Sequence, residues 1–123
     1  MREGVSKALI DPAGGLLQLS AIEDGGFAEA EADLGEGPES LVLHREGDAV
    51  RAWRNVCPHA GRRLDWAPGK FLRSKDGLLV CAVHGATFET GAGVCVAGPC
   101  RGQSLLPVPV AVLEGAVHLA TPG

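Results

Sequence analysis

Frequent punctuation by glycine and proline limits this chain more than any other feature. Eighteen glycines and eight prolines are spread through 123 residues. That density predicts many turns and short strands rather than long helices. Nowhere does an amphipathic helix of about ten residues stand out from the pattern. The expected fold is therefore all-β, built from small sheets. By size it is one domain with a modest core. With three Phe, two Trp and no Tyr, Leu, Val and Ala must fill most of that core.

The segments agree with this reading. "LLQLSAI" (16–22) is short, apolar and stopped by the turn signal "EDGG". In "FAEAEADL" (27–34), alanines alternate with Glu29, Glu31 and Asp33, the period of a half-buried strand. "SLVLHRE" (40–46) and "AVRAWRNV" (49–56) flank "EGD" as a β-hairpin. "GVCV" (93–96) is a return strand after "ETGAG". In "LLPVPVAVLEGAVHLA" (105–120), Pro107 and Pro109 suit an edge strand because neither can donate a ladder hydrogen bond. Residues 1–15 form an arm or single edge strand, and residues 16–120 form the domain.

Charge and segment lengths exclude several functions. The net charge is −4 and no Lys/Arg block occurs, so nucleic acid is not an expected partner. No segment approaches the roughly 20 apolar residues of a membrane span. The first residues lack a signal-peptide pattern, so a soluble, cytoplasmic protein is expected. Thiols stay reduced there, so four cysteines read as metal ligands or free thiols.

Two mixed pairs organise the middle of the chain. Cys57-Pro58-His59 is followed, after 21 residues, by Cys81-Ala82-Val83-His84, and Gly61 and Gly85 stand close behind. A glycine after the histidine lets the backbone turn back and aim N–H groups at sulfur. Two such loops facing each other supply two Cys to one iron and two His to another, the ligand set of a Rieske [2Fe–2S] centre. A structural zinc ion is the rival reading, since Zn²⁺ also takes two Cys and two His. Zinc fingers, however, place Cys with Cys and His with His.

At "CPHAG…CAVHG" the sequence resembles the Rieske family, and within it the small soluble ferredoxins. The likeness runs from about residue 16 to 120. It implies a fold of three small antiparallel sheets with a cluster-binding part at about 55–100. It further implies that Cys57 and Cys81 hold the buried iron, and that His59 and His84 hold the outer iron near solvent. In "GPC" (98–100) it places a third loop packed over the cluster. Two features depart from the family pattern. The loop "DWAPGKFLRSKDG" (65–77) is enlarged, with turns at Pro68-Gly69 and Asp76-Gly77. Where high-potential members carry a disulfide and hydroxyl donors, this chain has Arg62, Val83, Ala86 and Phe88. Fewer hydrogen bonds to the cluster predict a potential near the low end of the Rieske range, about −150 mV.

The function expected is a one-electron carrier with one Rieske-type [2Fe–2S] cluster, taking electrons from a flavin reductase to an oxygenase or similar enzyme. The alternatives are a permanent electron-transfer subunit of a larger reductase, resembling the nitrite reductase small subunit, and a zinc-bound interaction module. Cys95 and Cys100 are expected as buried thiols, with Cys100 close to the cluster. His44 and His118 are expected to be solvent-facing or satisfied. Trp53 and Trp66 are expected to pack near the cluster. Arg62 and Arg63 are expected on a solvated rim, or docking an acidic partner.

Overall fold

The computed structural model describes residues 15–58, 61–83 and 85–120. The expected N-terminal arm lies almost wholly outside them. Among the described residues ten strands run in chain order: β1 (Leu17–Gln18), β2 (Phe27–Asp33), β3 (Pro38–Glu46), β4 (Ala49–Arg54), β5 (Leu72–Arg73), β6 (Leu79–Val80), β7 (Thr87–Phe88), β8 (Cys95–Ala97), β9 (Val110–Leu113) and β10 (Ala116–Leu119). They form three sheets, β1-β10-β9, β2-β3-β4 and β5-β6-β7-β8, and every strand pairing is antiparallel. The all-β expectation is met. Of "LLQLSAI" only Leu17–Gln18 is strand, and Leu19–Ala21 coils into one 3₁₀ turn.

The β2-β3-β4 sheet is the base of the molecule. In β2 the expected alternation appears, with Ala30 and Ala32 buried and Glu31 and Asp33 exposed. The centre of β3 is different, because Leu41, Val42, Leu43 and His44 are all buried. A strand covered on both faces reads as a continuous apolar run rather than an alternating one. Its two faces feed two cores. Val42 joins Trp53, Leu64, Leu79, Phe88 and the four cysteines. Leu41 and Leu43 join Ile22, Ala30, Ala52, Val108 and Val117. Thus β3 is the wall between them.

His44 ends the buried run and is satisfied, its Nδ1–H donating to the Gly26 carbonyl at 3.1 Å. It also stacks on Phe27, with ring centroids 4.5 Å apart. Burial lowers its pKa, against the hydrogen bond to Gly26. His118 departs from expectation, since its buried Nδ1 finds no partner among the described residues.

The proline segment also differs from its expected form. Pro107 makes only an isolated bridge to Trp53. On either side, Arg54 N–H donates to Leu106 O at 2.9 Å and Val108 N–H donates to Ala52 O at 2.9 Å. The segment thus covers the outer edge of β4, and the proline falls where no donor is needed. Pro109 precedes β9 rather than lying within it. The β9-β10 turn pairs Glu114 at φ 52 with Gly115 at φ 80, consistent with a two-residue hairpin of the type that matches strand twist.

Trp53 is buried, as expected, and its indole lies against Gly93. A Cβ built on Gly93 would sit 2.6 Å from Trp53 Nε1, at a φ of +79°. Gly69 has nearly the same φ, +77°, with nothing within 4 Å. Both Gly→Ala changes strain the backbone, but only Gly93→Ala also overpacks the core. Chemical denaturation should show Gly93→Ala less stable than Gly69→Ala by about 1–3 kcal/mol.

Candidate metal centre

Two loops at one end of the molecule carry the Cys/His pairs, one between β4 and β5 and one between β6 and β7. Cys57 and Cys81 open them, each 2% exposed, and both lie in the core on the Val42 side of β3. His59 and His84 lie outside the described residues.

The loops close by the same bonds. Cys57 N–H donates to Arg62 O at 2.7 Å, and Gly61 N–H donates to Cys57 O at 2.8 Å. Cys81 N–H donates to Ala86 O at 2.7 Å, and Gly85 N–H donates to Cys81 O at 3.0 Å. In each case a glycine four residues after the cysteine makes the return, at φ +70° for Gly61 and +77° for Gly85. A Cβ there would meet no atom within 4 Å, so conformation, not space, requires glycine. The histidines are offset differently, but cysteine and glycine keep one spacing. Two buried thiols at the mouths of matched loops fit the inner half of a two-Cys, two-His cluster site.

The loops are tied together and to the base sheet. Ala82 N–H of the second loop donates to Leu64 O of the first at 3.2 Å. Leu64 N–H donates to the Oδ1 of Asn55 at 2.9 Å, and Asn55 is itself 1% exposed. Asn55 Nδ2 reaches Ser40 Oγ at 3.0 Å, and Ser40 Oγ donates to Glu29 Oε2 at 2.7 Å.

Arg63 adds a second path. It grips Asp65 with Nε at 2.9 Å and Nη2 at 2.8 Å, and Nη2 also donates to Glu29 at 2.9 Å. Arg62 and Arg63 are both exposed on the rim, as expected, and Arg63 is paired there to Asp65 and Glu29. Burial alone would raise the Asp65 carboxyl. The bonds from Arg63 and from Gly69 N–H outweigh it and hold that carboxyl below the usual aspartate range.

A third loop rests on the second. Gly98, at φ +100°, lies against Ala86, where an added Cβ would come within 2.8 Å of Ala86 Cα. Cys95 and Cys100 are both buried, and their sulfurs are 3.1 Å apart. Within the enlarged loop both expected turns occur, closed by Lys70 N–H to Ala67 O at 2.8 Å and Gly77 N–H to Ser74 O at 2.9 Å. The same stretch holds β5, which the sequence pattern did not reveal. Trp66 contradicts its expected role, being 62% exposed beside Lys70, Phe71 and Arg73. The packing it was expected to supply near the cluster is supplied by Leu64 and Phe88 instead.

The profile of the Rieske [2Fe–2S] domain matches residues 20–114. The chain belongs to the Rieske family. The domain's cofactor is a Rieske-type [2Fe–2S] cluster. The zinc alternative is thereby set aside. Among relatives, the Rieske domain is 37% identical over 72 residues to "Oxidoreductase NdmD" of Pseudomonas putida, a match covering 58% of this chain and 11% of that protein. The chain spans only a small part of the curated relatives it matches.

In structure it is similar to the ferredoxin of carbazole 1,9a-dioxygenase from Nocardioides aromaticivorans IC177, with a TM-score of 0.65, 23% identity and coverage of 89% of this chain and 97% of that one. A chain from a complex of reduced oxygenase and oxidised ferredoxin in carbazole 1,9a-dioxygenase matches with a TM-score of 0.65, 25% identity and coverage of 87% and 91%. Among the described residues no helix is long and apolar enough to cross a membrane.

Two outcomes follow. Gly98→Ala should push the third loop off Ala86, cost about 1–3 kcal/mol, and lower iron retention during chelator challenge. The pH effect of Asp65 has a definite sign, because its folded pKa is depressed. Its contribution is full above the unfolded value, about 3.9, and is lost as pH falls through the folded value. Acid denaturation followed by circular dichroism should therefore show a shallower loss of stability for Asp65→Asn than for the wild type.

Proposed function

We propose that Cys57 and Cys81 hold the inner iron and His59 and His84 the outer iron, and that the domain passes single electrons from a flavin reductase to an oxygenase or similar enzyme. The observation that carries the reading is the matched closure of the two loops. It puts both cysteines at equivalent buried positions, with the sequence positions of both histidines between cysteine and glycine. When bound, the cluster supplies one-electron redox chemistry. The chain's own part is to bury two thiols, hold the loops in register through Leu64 and Ala82, and limit water on the inner side.

The partner assignment draws on the ferredoxin solved with its oxygenase, which is 25% identical to this chain. The match to a short part of NdmD supports a second reading, in which this domain works within a larger oxidoreductase. The domain is proposed to span 16–120, in the cytoplasm.

The dithionite-reduced protein should give an electron paramagnetic resonance signal of Rieske type, with iron and acid-labile sulfide in equal amounts. His84→Cys should lower the midpoint potential while the cluster remains, because thiolate adds negative charge at the iron. A wild-type potential in His84→Cys removes His84 from the ligand set. Reduction by a flavin reductase and reoxidation by an oxygenase, both followed in the visible spectrum, test the partners. A domain that neither accepts nor donates electrons in that assay is not a diffusing carrier.

A further inference from the structure

The side-chain bonds that run from the first ligand loop to the base sheet can point in only one direction. Leu64 N–H can only donate, so the oxygen of the Asn55 amide must face it, at 2.9 Å. That turns Asn55 Nδ2, a donor, toward Ser40 Oγ at 3.0 Å, and the hydroxyl oxygen must accept. The Ser40 hydrogen is then left for Glu29 Oε2 at 2.7 Å, the same oxygen that accepts from Arg63 Nη2 at 2.9 Å. A backbone N–H at one end and a carboxylate at the other thus fix every hydrogen between them. A flipped Asn55 amide would set one donor against another at Leu64.

The place of that amide in the chain gives the relay its use. Asn55 and Leu64 stand on either side of the ring that Cys57 N–H closes on Arg62 O, so the Asn55 side chain shuts the stem of the first loop. Leu64 O then accepts Ala82 N–H at 3.2 Å, beside Cys81 in the second loop. Asn55 is also pinned by its own N–H, which donates to Ser40 O at 3.0 Å. Asn55 and Leu64 are 1% and 0% exposed, so water does not replace a lost partner.

We propose that Asn55 is a positioning residue for the metal centre: its amide, held in one orientation by Ser40 and Glu29, sets Leu64 so that this one residue keeps both ligand loops in register. Without the amide, a buried N–H loses its acceptor and the stem of the first loop opens. Leu64 O then moves relative to Ala82, and the two cysteines lose their fixed separation. Glu29 acts here through its accepting oxygen rather than its charge, and glutamine supplies the same oxygen.

The inference rests on Cys57 and Cys81 as cluster ligands, and the experiment separates the two ideas. Cys57→Ala is made first, and iron and sulfide are counted. A full cluster in that variant overturns the ligand assignment itself. Iron release to a chelator and the electron paramagnetic resonance line shape after reduction are then compared among loaded variants. Val117→Ala is the control, because it opens a cavity in the other core and lowers stability without touching the relay. Asn55→Ala should release iron about ten-fold faster than Val117→Ala. Its lines should also broaden, since loops held less firmly spread the cluster geometry. Glu29→Gln should keep the wild-type rate and line shape.

An Asn55→Ala protein with the wild-type rate and line shape overturns the proposal. So does a Val117→Ala that releases iron as fast as Asn55→Ala, or a Glu29→Gln that falls as far. Should Asn55→Ala fail to load, Ser40 decides. Ser40→Ala leaves the amide free to flip and should release iron faster than the wild type. Ser40→Thr keeps the hydroxyl and should restore the wild-type rate. Equal rates in these two variants overturn the proposal.

Discussion

The cluster end of this molecule depends on two backbone N–H groups, those of Cys57 and Cys81, each bonded to a carbonyl five residues further on. That bond runs forward from an N–H to a later carbonyl, opposite in direction to a helix bond, and a left-handed glycine inside it turns the chain back. Once closed, the ring carries its cysteine sulfur on the buried side without help from regular secondary structure. Sheet β5-β6-β7-β8, with strands of two or three residues, holds the ends of the rings rather than defining them.

Beside the apolar core they share, a polar set joins this end to the base sheet. Asn55, Ser40, Glu29, Arg63 and Asp65 form a connected set across the junction. Its worth does not lie in Coulomb attraction alone, since the Arg63 side chain is 46% exposed and water screens it. The buried members matter more. The Asp65 side chain is 1% exposed, and Asn55 is equally hidden, so losing a partner would leave a desolvated group unmatched. The junction is specified by satisfaction of buried atoms rather than by strength.

Much of this was legible in the sequence. The Ala/Glu alternation of 27–33 marked β2, and the hairpin around Gly47 and Asp48 marked β3 and β4, because those signals are local. The two Cys/His loops stood out for the same reason, since a cysteine, a histidine and a glycine in close succession form a short-range pattern. Asn55, Ser40, Glu29 and Asp65 were missed because their meaning comes from neighbours up to 34 residues away. Arg63 is the rim charge it looked like, but its pairing with Glu29 and Asp65 did not show in the sequence. Trp66 misled in another way, since an indole next to a ligand loop does not say which side of the backbone it takes. β5 and β6 pair at only two positions, too few for any period to show.

The wall formed by β3 has a dynamic meaning. Its amides and those of β2 and β4 sit in ladders of six or seven paired positions between two packed faces. The ladders around the loops have two. Solvent deuterium should therefore enter this molecule unevenly, reaching the loop-bearing half through partial openings and the central ladder only when the whole chain lets go. Such a division leaves the redox end free to breathe on a frame that does not.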